Sequence, residues 1–168
     1  MDFAAFLRAL PIPILQAPMV GASSPAMAVA VSQAGGLGAL GAGAHAPADL
    51  EPAVAALKAA TDRPFAVNLF VLDPVNPGAA TVDSALDRLA SWYAERGAPL
   101  PEQPNSFAPD FEGQFAALVR ARPAVASFTF SILTRVQVEA LHAAGIFVVG
   151  TATTVAEARA WAAVGADG

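Results

Sequence analysis

Five short apolar runs alternate along this chain with longer stretches whose apolar residues recur at helical spacing. The runs are Pro13 to Ala17, Gly36 to Gly41, Phe65 to Leu72, Ala124 to Phe130 and Ile146 to Thr151. Each is too short for a helix, and punctuation by Pro and Gly marks them as buried strands. Between them, Met27, Ala30, Val31 and Ala34 share one helical face, and so do Leu50, Val54 and Leu57. Start signals agree with the periodicity. Ser24 before Pro25 supplies a capping side chain and then a residue with no amide hydrogen to lose. Pro47 opens the next helix, while Thr134 with Gln137 and Thr154 with Glu157 have capping-box spacing. Gly35, Gly97, Gly145 and the Val164-Gly165 pair stand where helices should close.

Strand followed by helix, repeated, argues for parallel βα units in an open doubly wound sheet or a barrel. Phe65 to Leu72 is apolar except for Asn68, as expected of a strand covered on both faces. One crossover is enlarged. After the third strand come a helix carrying Val82, Leu86, Leu89 and Tyr93, a proline-rich connector from Ala98 to Pro109, and a helix carrying Phe111, Phe115 and Leu118. The fold class is α/β with about five βα units; of the two alternatives the barrel would be a partial (β/α)8 barrel, since a complete one takes about 250 residues against the 168 here. We expect residues 1–168 to form a single, incomplete barrel domain, with Gly165-Ala-Asp-Gly168 leading toward a sixth strand.

Composition narrows the chemistry. Nine basic residues against 14 acidic ones give a net charge of −5, and no Lys/Arg cluster offers a nucleic-acid footprint. The absence of cysteine excludes disulfides, thiol nucleophiles and thiolate metal sites, and fits a cytoplasmic protein. Residues 1–10 lack the apolar core of a signal peptide. Pro25 to Gly43 has membrane-spanning length but consists largely of Ala and Gly, broken by Ser32 and Gln33, so no membrane partner is expected.

Gly36, Gly38 and Gly41 satisfy the spacing of a dinucleotide fingerprint, but a helix precedes them and none opens there. Close backbone packing accounts for them better. Asn68, mid-strand in apolar surroundings, must find hydrogen-bond partners. It is either a core amide tied to backbone or a ligand-facing group at the strand end, where barrel ligands bind. Of the two histidines, His45 lies in a loop on the ligand side of the array, either solvated or part of a site, and His142 stands near a helix C-terminus whose dipole it would complement. Neither belongs to a metal-spaced cluster, and no carboxylate pair stands out for acid/base work.

Gln16-Ala-Pro-Met-Val-Gly21 followed by Val31-Ser-Gln-Ala-Gly-Gly-Leu-Gly38 resembles the amino-terminal signature of the nitronate monooxygenases, FMN-dependent barrel enzymes. Pro64-Phe-Ala-Val-Asn-Leu-Phe70, Val149-Gly-Thr-Ala-Thr-Thr-Val-Ala-Glu-Ala158 and Ala163-Val-Gly-Ala-Asp-Gly168 agree in order and spacing. The resemblance implies that backbone at Ala17, Pro18 and Met19 lies against the flavin and that Asn68 hydrogen-bonds it. On the same reading the Gly150-Thr151 strand end faces the pocket.

The implied reaction is oxidative denitrification of an alkyl nitronate or nitroalkane by FMN and O2 to a carbonyl compound and nitrite, with assembly into a homo-oligomer left open. The family's general-base histidine belongs to a Gly-Gly-His-Arg-Gly-like segment expected beyond the position of Gly168. Neither His45 nor His142 matches it, so no catalytic residue is assigned, and these 168 residues are expected to bind FMN weakly and turn over nothing. Two other readings remain open. Flavin-dependent enoyl-acyl-carrier-protein reductases resemble this chain in barrel and Gly-Gly-Leu-Gly region but differ where it has Ala17-Pro18. A non-catalytic half-barrel interaction protein would expose strand edges and self-associate.

Overall fold

The structure is a computed structural model that describes residues 2–73, 75–104 and 106–168. It divides into two compact units, one comprising Met1–Leu72 with Pro109–Gly168 and the other Asp73–Ala108. The larger unit is built on a four-stranded parallel sheet of β1 (Gly38–Gly41), β2 (Phe65–Phe70), β3 (Val125–Thr129) and β4 (Phe147–Gly150), in sequence order. Its helices are α1 (Phe3–Ala9), α2 (Pro25–Gln33), α3 (Pro47–Ala60), α5 (Phe111–Ala121), α6 (Arg135–Ala143) and α7 (Val155–Val164). The smaller unit contains α4 (Ala79–Glu95), with the Arg96 guanidinium 5.5 Å from the centre of the Trp92 ring.

Sequential order with every neighbour parallel is the arrangement of consecutive βα units in a barrel wall, and the enlarged crossover after the expected third strand is present as α4, connector and α5. The first expected strand survives as a single parallel bridge, Leu15 to Leu37. Leu37 N donates to Ile14 O and Gln16 N to Leu37 O, both at 2.9 Å. Beyond this point Pro18 has no N–H with which to extend a ladder. The Gln16 side chain takes over. Its Nε2 donates to Ala39 O and its Oε1 accepts from Ala39 N, both at 3.2 Å, so one side-chain amide stands in for a peptide group.

The sheet buries both faces, as the apolar character of β2 requires. On the outer face Leu40, Val67, Ala126, Phe128 and Val148 join Leu50, Val54, Leu57, Leu118, Val138, Leu141 and Trp161 from the helices in one core. On the inner face Leu37, Ala39, Ala66 and Val125 pack with Phe3 and Leu10. Helix α1, which the strand-and-helix reading of the sequence passes over, thus closes the N-terminal end of the inner face. Asp2 caps it, accepting from Ala5 N at 2.6 Å, and Phe3 and Phe6 meet Phe147 at 5.4 and 5.1 Å between ring centres.

The glycines of the false dinucleotide fingerprint serve packing, as expected. A Cβ on Gly38 would lie 1.9 Å from Ala28 O, so α2 rests directly on the strand backbone. Ser32, buried on that helix, accepts from Gly38 N at 3.1 Å and donates to Pro64 O at 2.9 Å, tying α2 to β1 and to the start of β2. Both capping boxes form, at Thr134–Gln137 and Thr154–Glu157. At the far edge Asp167 N donates to Val148 O at 2.8 Å and Gly150 N to Gly168 O at 2.9 Å, so the last residues run along β4. Among the described residues, no helix is long and apolar enough to cross a membrane.

Candidate functional site

Alternation along each strand sends every second side chain to the inner face, and the parallel register stacks these into layers. Ala39, Ala66, Val125 and Phe147 form the layer nearest α1. Gly41, Asn68, Ser127 and Val149 form the next, and Phe70 pairs with Thr129 above them. The inner face is thus apolar nearest α1, and its polar groups Asn68, Ser127 and Thr129 lie toward the C-terminal strand ends beside Phe70.

A pocket of about 330 Å³ opens there. Its walls include Ala17 and Pro18 from the first turn, Ala39 and Ala66 from the sheet, and Thr151 just past β4. Apart from Gln16 and Thr151, its polar lining is one cluster. Asn68, 2% exposed, directs Nδ2 at Ser127 O (3.1 Å), Ser127 Oγ (3.1 Å) and Thr129 Oγ1 (3.2 Å). Two amide hydrogens face three oxygens, so two of the three contacts are served at a time, and the hydroxyls of Ser127 and Thr129, as acceptors, keep rotatable protons for a ligand. Asn68 is thus tied into the sheet and also lines the pocket.

Ala17, Pro18, Asn68 and Thr151, expected from the sequence, are brought together in this pocket. The other two expected residues lie outside its lining. Met19 is 56% exposed, and its amide donates to Ser23 Oγ at 2.9 Å while the same hydroxyl donates to Ala17 O at 2.9 Å, which locks the Pro18-Met19 turn. Gly150 faces the other way: a Cβ there would come within 2.1 Å of the Trp161 ring, which packs over β4 and donates from Nε1 to Thr151 O at 3.1 Å. Ser127, Thr129 and Gln16 were not anticipated as pocket residues. The signal was available for the first two, because Val125, Ser127 and Thr129 alternate with Ala126 and Phe128 in β3.

His45 is half-buried and borders a separate hollow of about 480 Å³ with Ser24 and Asp49. His142 in the last turn of α6 finds a carboxylate. Its Nε2 lies 2.9 Å from Asp167 Oδ2, which also accepts from Val148 N at 2.8 Å. Among the described residues, no titratable side chain lines the Asn68 pocket. Among the described residues no group of His, Cys, Asp and Glu could hold a metal ion.

The donor set suits a flat, carbonyl-bearing heterocycle: apolar walls, with hydroxyl and amide donors at one edge. Fold and pocket together define a parallel βα barrel-type protein with a pocket at the C-terminal ends of its strands. The family model for nitronate monooxygenase matches residues 5–168. The chain belongs to the nitronate monooxygenase family.

Nitronate monooxygenase of Pseudomonas aeruginosa is 41% identical over 167 residues, covering 96% of this chain and 48% of the relative. That of Paraburkholderia phytofirmans is 35% identical over 158 residues, covering 92% and 43%. The chain thus spans about half the length of the curated relatives it matches. Among solved structures, nitroalkane oxidase from Streptomyces ansochromogenes superposes with a TM-score of 0.84 at 36% identity, covering 96% of this chain and 46% of that one. FabK from Thermotoga maritima has a TM-score of 0.67 at 24% identity, covering 99% and 42%, a likeness of fold alone.

Proposed function

We propose that these residues are the cofactor-cradling part of a cytoplasmic, FMN-dependent enzyme that oxidatively denitrifies alkyl nitronates with O2, and that by themselves they bind FMN weakly and release no nitrite. They would form a single, incomplete flavin-binding barrel domain. The observation that carries this reading is the pocket's chemistry: an amide-and-hydroxyl cluster around Asn68 set among apolar walls, with no acid or base among its described lining residues. Family membership supplies the substrate class.

Ala17 and Pro18 would lie against one face of the flavin ring. Pro18 is suited to this because its turn is already braced by the Ser23 hydroxyl and needs no rearrangement on binding. Met19 and Gly150 would act from behind, the first through the braced turn and the second by letting Trp161 support the end of β4. Asn68 would donate to the ring edge in competition with Ser127 and Thr129, whose hydroxyl protons can turn outward in exchange. Thr151 closes the opposite side. Bound FMN would supply the electron-accepting chemistry that a pocket of amides and hydroxyls cannot. Neither His45 nor His142 lines the pocket, so this chain's own residues bind and orient, and none moves a proton in it.

The test is to titrate FMN with the 168-residue chain and follow flavin fluorescence, then assay nitrite from propyl-2-nitronate. Saturable quenching that Asn68→Leu abolishes, with no nitrite, is the expected result. Stoichiometric flavin retained through purification, or any nitrite release, would overturn the assignment to a cradle alone. Absence of FMN binding would overturn the flavin assignment.

A further inference from the structure

Phe130, immediately after β3, has φ +84°. The only other described non-glycine residue with positive φ is Arg122, at the left-handed cap of α5. For a bulky side chain this region is an outlier that costs free energy and persists only where the surroundings impose it. Burial does not offset the cost, because Phe130 is 69% exposed. The twisted backbone turns the ring toward β2, where its edge meets Phe70 at 5.0 Å between centres and 64° between planes.

Phe70 is fixed from the opposite side. A Cβ on Gly43 would sit 2.5 Å from the Phe70 ring, so the ring lies flat on bare backbone. That backbone is itself held. Gln114 on α5, wholly buried, donates from Nε2 to Gly43 O at 3.2 Å and to His45 O at 2.6 Å. The result is a fixed aromatic ring, Phe70, and a second, strained and largely uncovered ring leaning on it. Both stand at the C-terminal strand ends, adjoining Thr129 of the pocket.

We propose that Phe70 and Phe130 form the apolar wall that receives the carbon chain of the substrate, and so set which chain lengths are preferred. The inference rests on the proposed nitronate chemistry. The aromatic pair lies one layer beyond the polar groups that would hold the flavin edge, where the hydrocarbon tail of a nitronate lying against the bound ring would run. Chain packing against a ring face is a hydrophobic contact, strengthening with every methylene removed from water.

Linear nitronates from ethyl- to hexyl-1-nitronate, titrated anaerobically into the 168-residue chain at saturating FMN and followed by ligand-observed NMR, test this. In the native chain each added methylene should tighten binding by up to about fourfold, the ceiling for a fully buried CH2. Phe130→Gly removes the ring while relieving the backbone, so it should keep the fold. It should bind ethyl-nitronate as the native chain does and lose most of the dependence on length, and Phe70→Ala should do the same. An unchanged length dependence in both variants, or none in the native chain, overturns the proposal while leaving the nitronate reading intact. No binding of any nitronate by the native chain overturns both.

Discussion

Replacing Asn68 with Ala tests the interior polar layer most directly. The side chain is 2% exposed and its Nδ2 serves β3 through Ser127 O, Ser127 Oγ and Thr129 Oγ1. Two amide protons at about 1 kcal/mol net each give about 2 kcal/mol, and the oxygens left without a donor raise this toward about 3 kcal/mol. Pocket-side water can reach part of the cluster, which keeps the total below the sum of full desolvation penalties. The same substitution made in a Thr129→Val background should cost about 1 kcal/mol less, because one acceptor is already gone. Urea titrations of the four proteins of the cycle, read by tryptophan fluorescence, supply both quantities. A loss under about 0.5 kcal/mol for Asn68→Ala, or a coupling indistinguishable from zero, would mean the amide is not engaged with β3 and the layer does not exist as described.

Gly150→Ala should be poorly tolerated, costing about 1–3 kcal/mol, since the new methyl would enter the Trp161 ring and force α7 outward; the urea midpoint and a shift of the tryptophan emission report it. Asp167→Ala removes the acceptor of Val148 N and the partner of His142, so the Val148 amide should exchange with deuterium faster, at a cost of about 1–3 kcal/mol. Glu157 accepts from Thr153 N, Thr153 Oγ1 and Thr154 N, and these bonds, the Thr153 backbone contribution first, hold its carboxyl below the ordinary 4.5. A lowered folded-state value stabilises the charged form, so its contribution is full above the unfolded value and vanishes as pH falls through the folded one. The difference in unfolding free energy between the native chain and Glu157→Gln should therefore shrink on acidification, and a difference that does not change with pH would refute the cap's role.

The elements legible in the sequence were those in which local and tertiary preferences coincide. Thr134–Gln137 and Thr154–Glu157 name their helices because a capping box is satisfied within four residues and owes nothing to distant packing. β2 is legible because burial on both faces leaves a run that is apolar except for Asn68. The first strand was overextended because Pro13 to Ala17 is apolar enough to pair, but pairing also depends on the neighbour's position and on the missing amide of Pro18. Helix α1 carries Phe3, Phe6 and Leu7 at helical spacing behind a capping Asp2, with Leu10 at its C-cap, but at seven residues it is too short for periodicity to stand out. In the site, Asn68 is conspicuous as one amide in an apolar strand. Ser127 and Thr129 are not, since small hydroxyl residues are common in strands and only the β2–β3 register places them beside it. Phe130's left-handed backbone leaves no trace in the sequence, because nothing about a phenylalanine predicts the region it least favours.

The mock peptide formed by Gln16 has a consequence for how this edge of the sheet can evolve. A backbone rung cannot be deleted by changing a codon, because every residue except proline carries the same donor and acceptor. The contact from Gln16 to Ala39 can be. A single substitution to Glu, Met or Ala would remove one or both of its hydrogen bonds while leaving the flanking Leu15–Leu37 bridge in place. The turn that walls the pocket at Pro18 therefore hangs from a heritable tether, whose tightness can be adjusted independently of the sheet it joins.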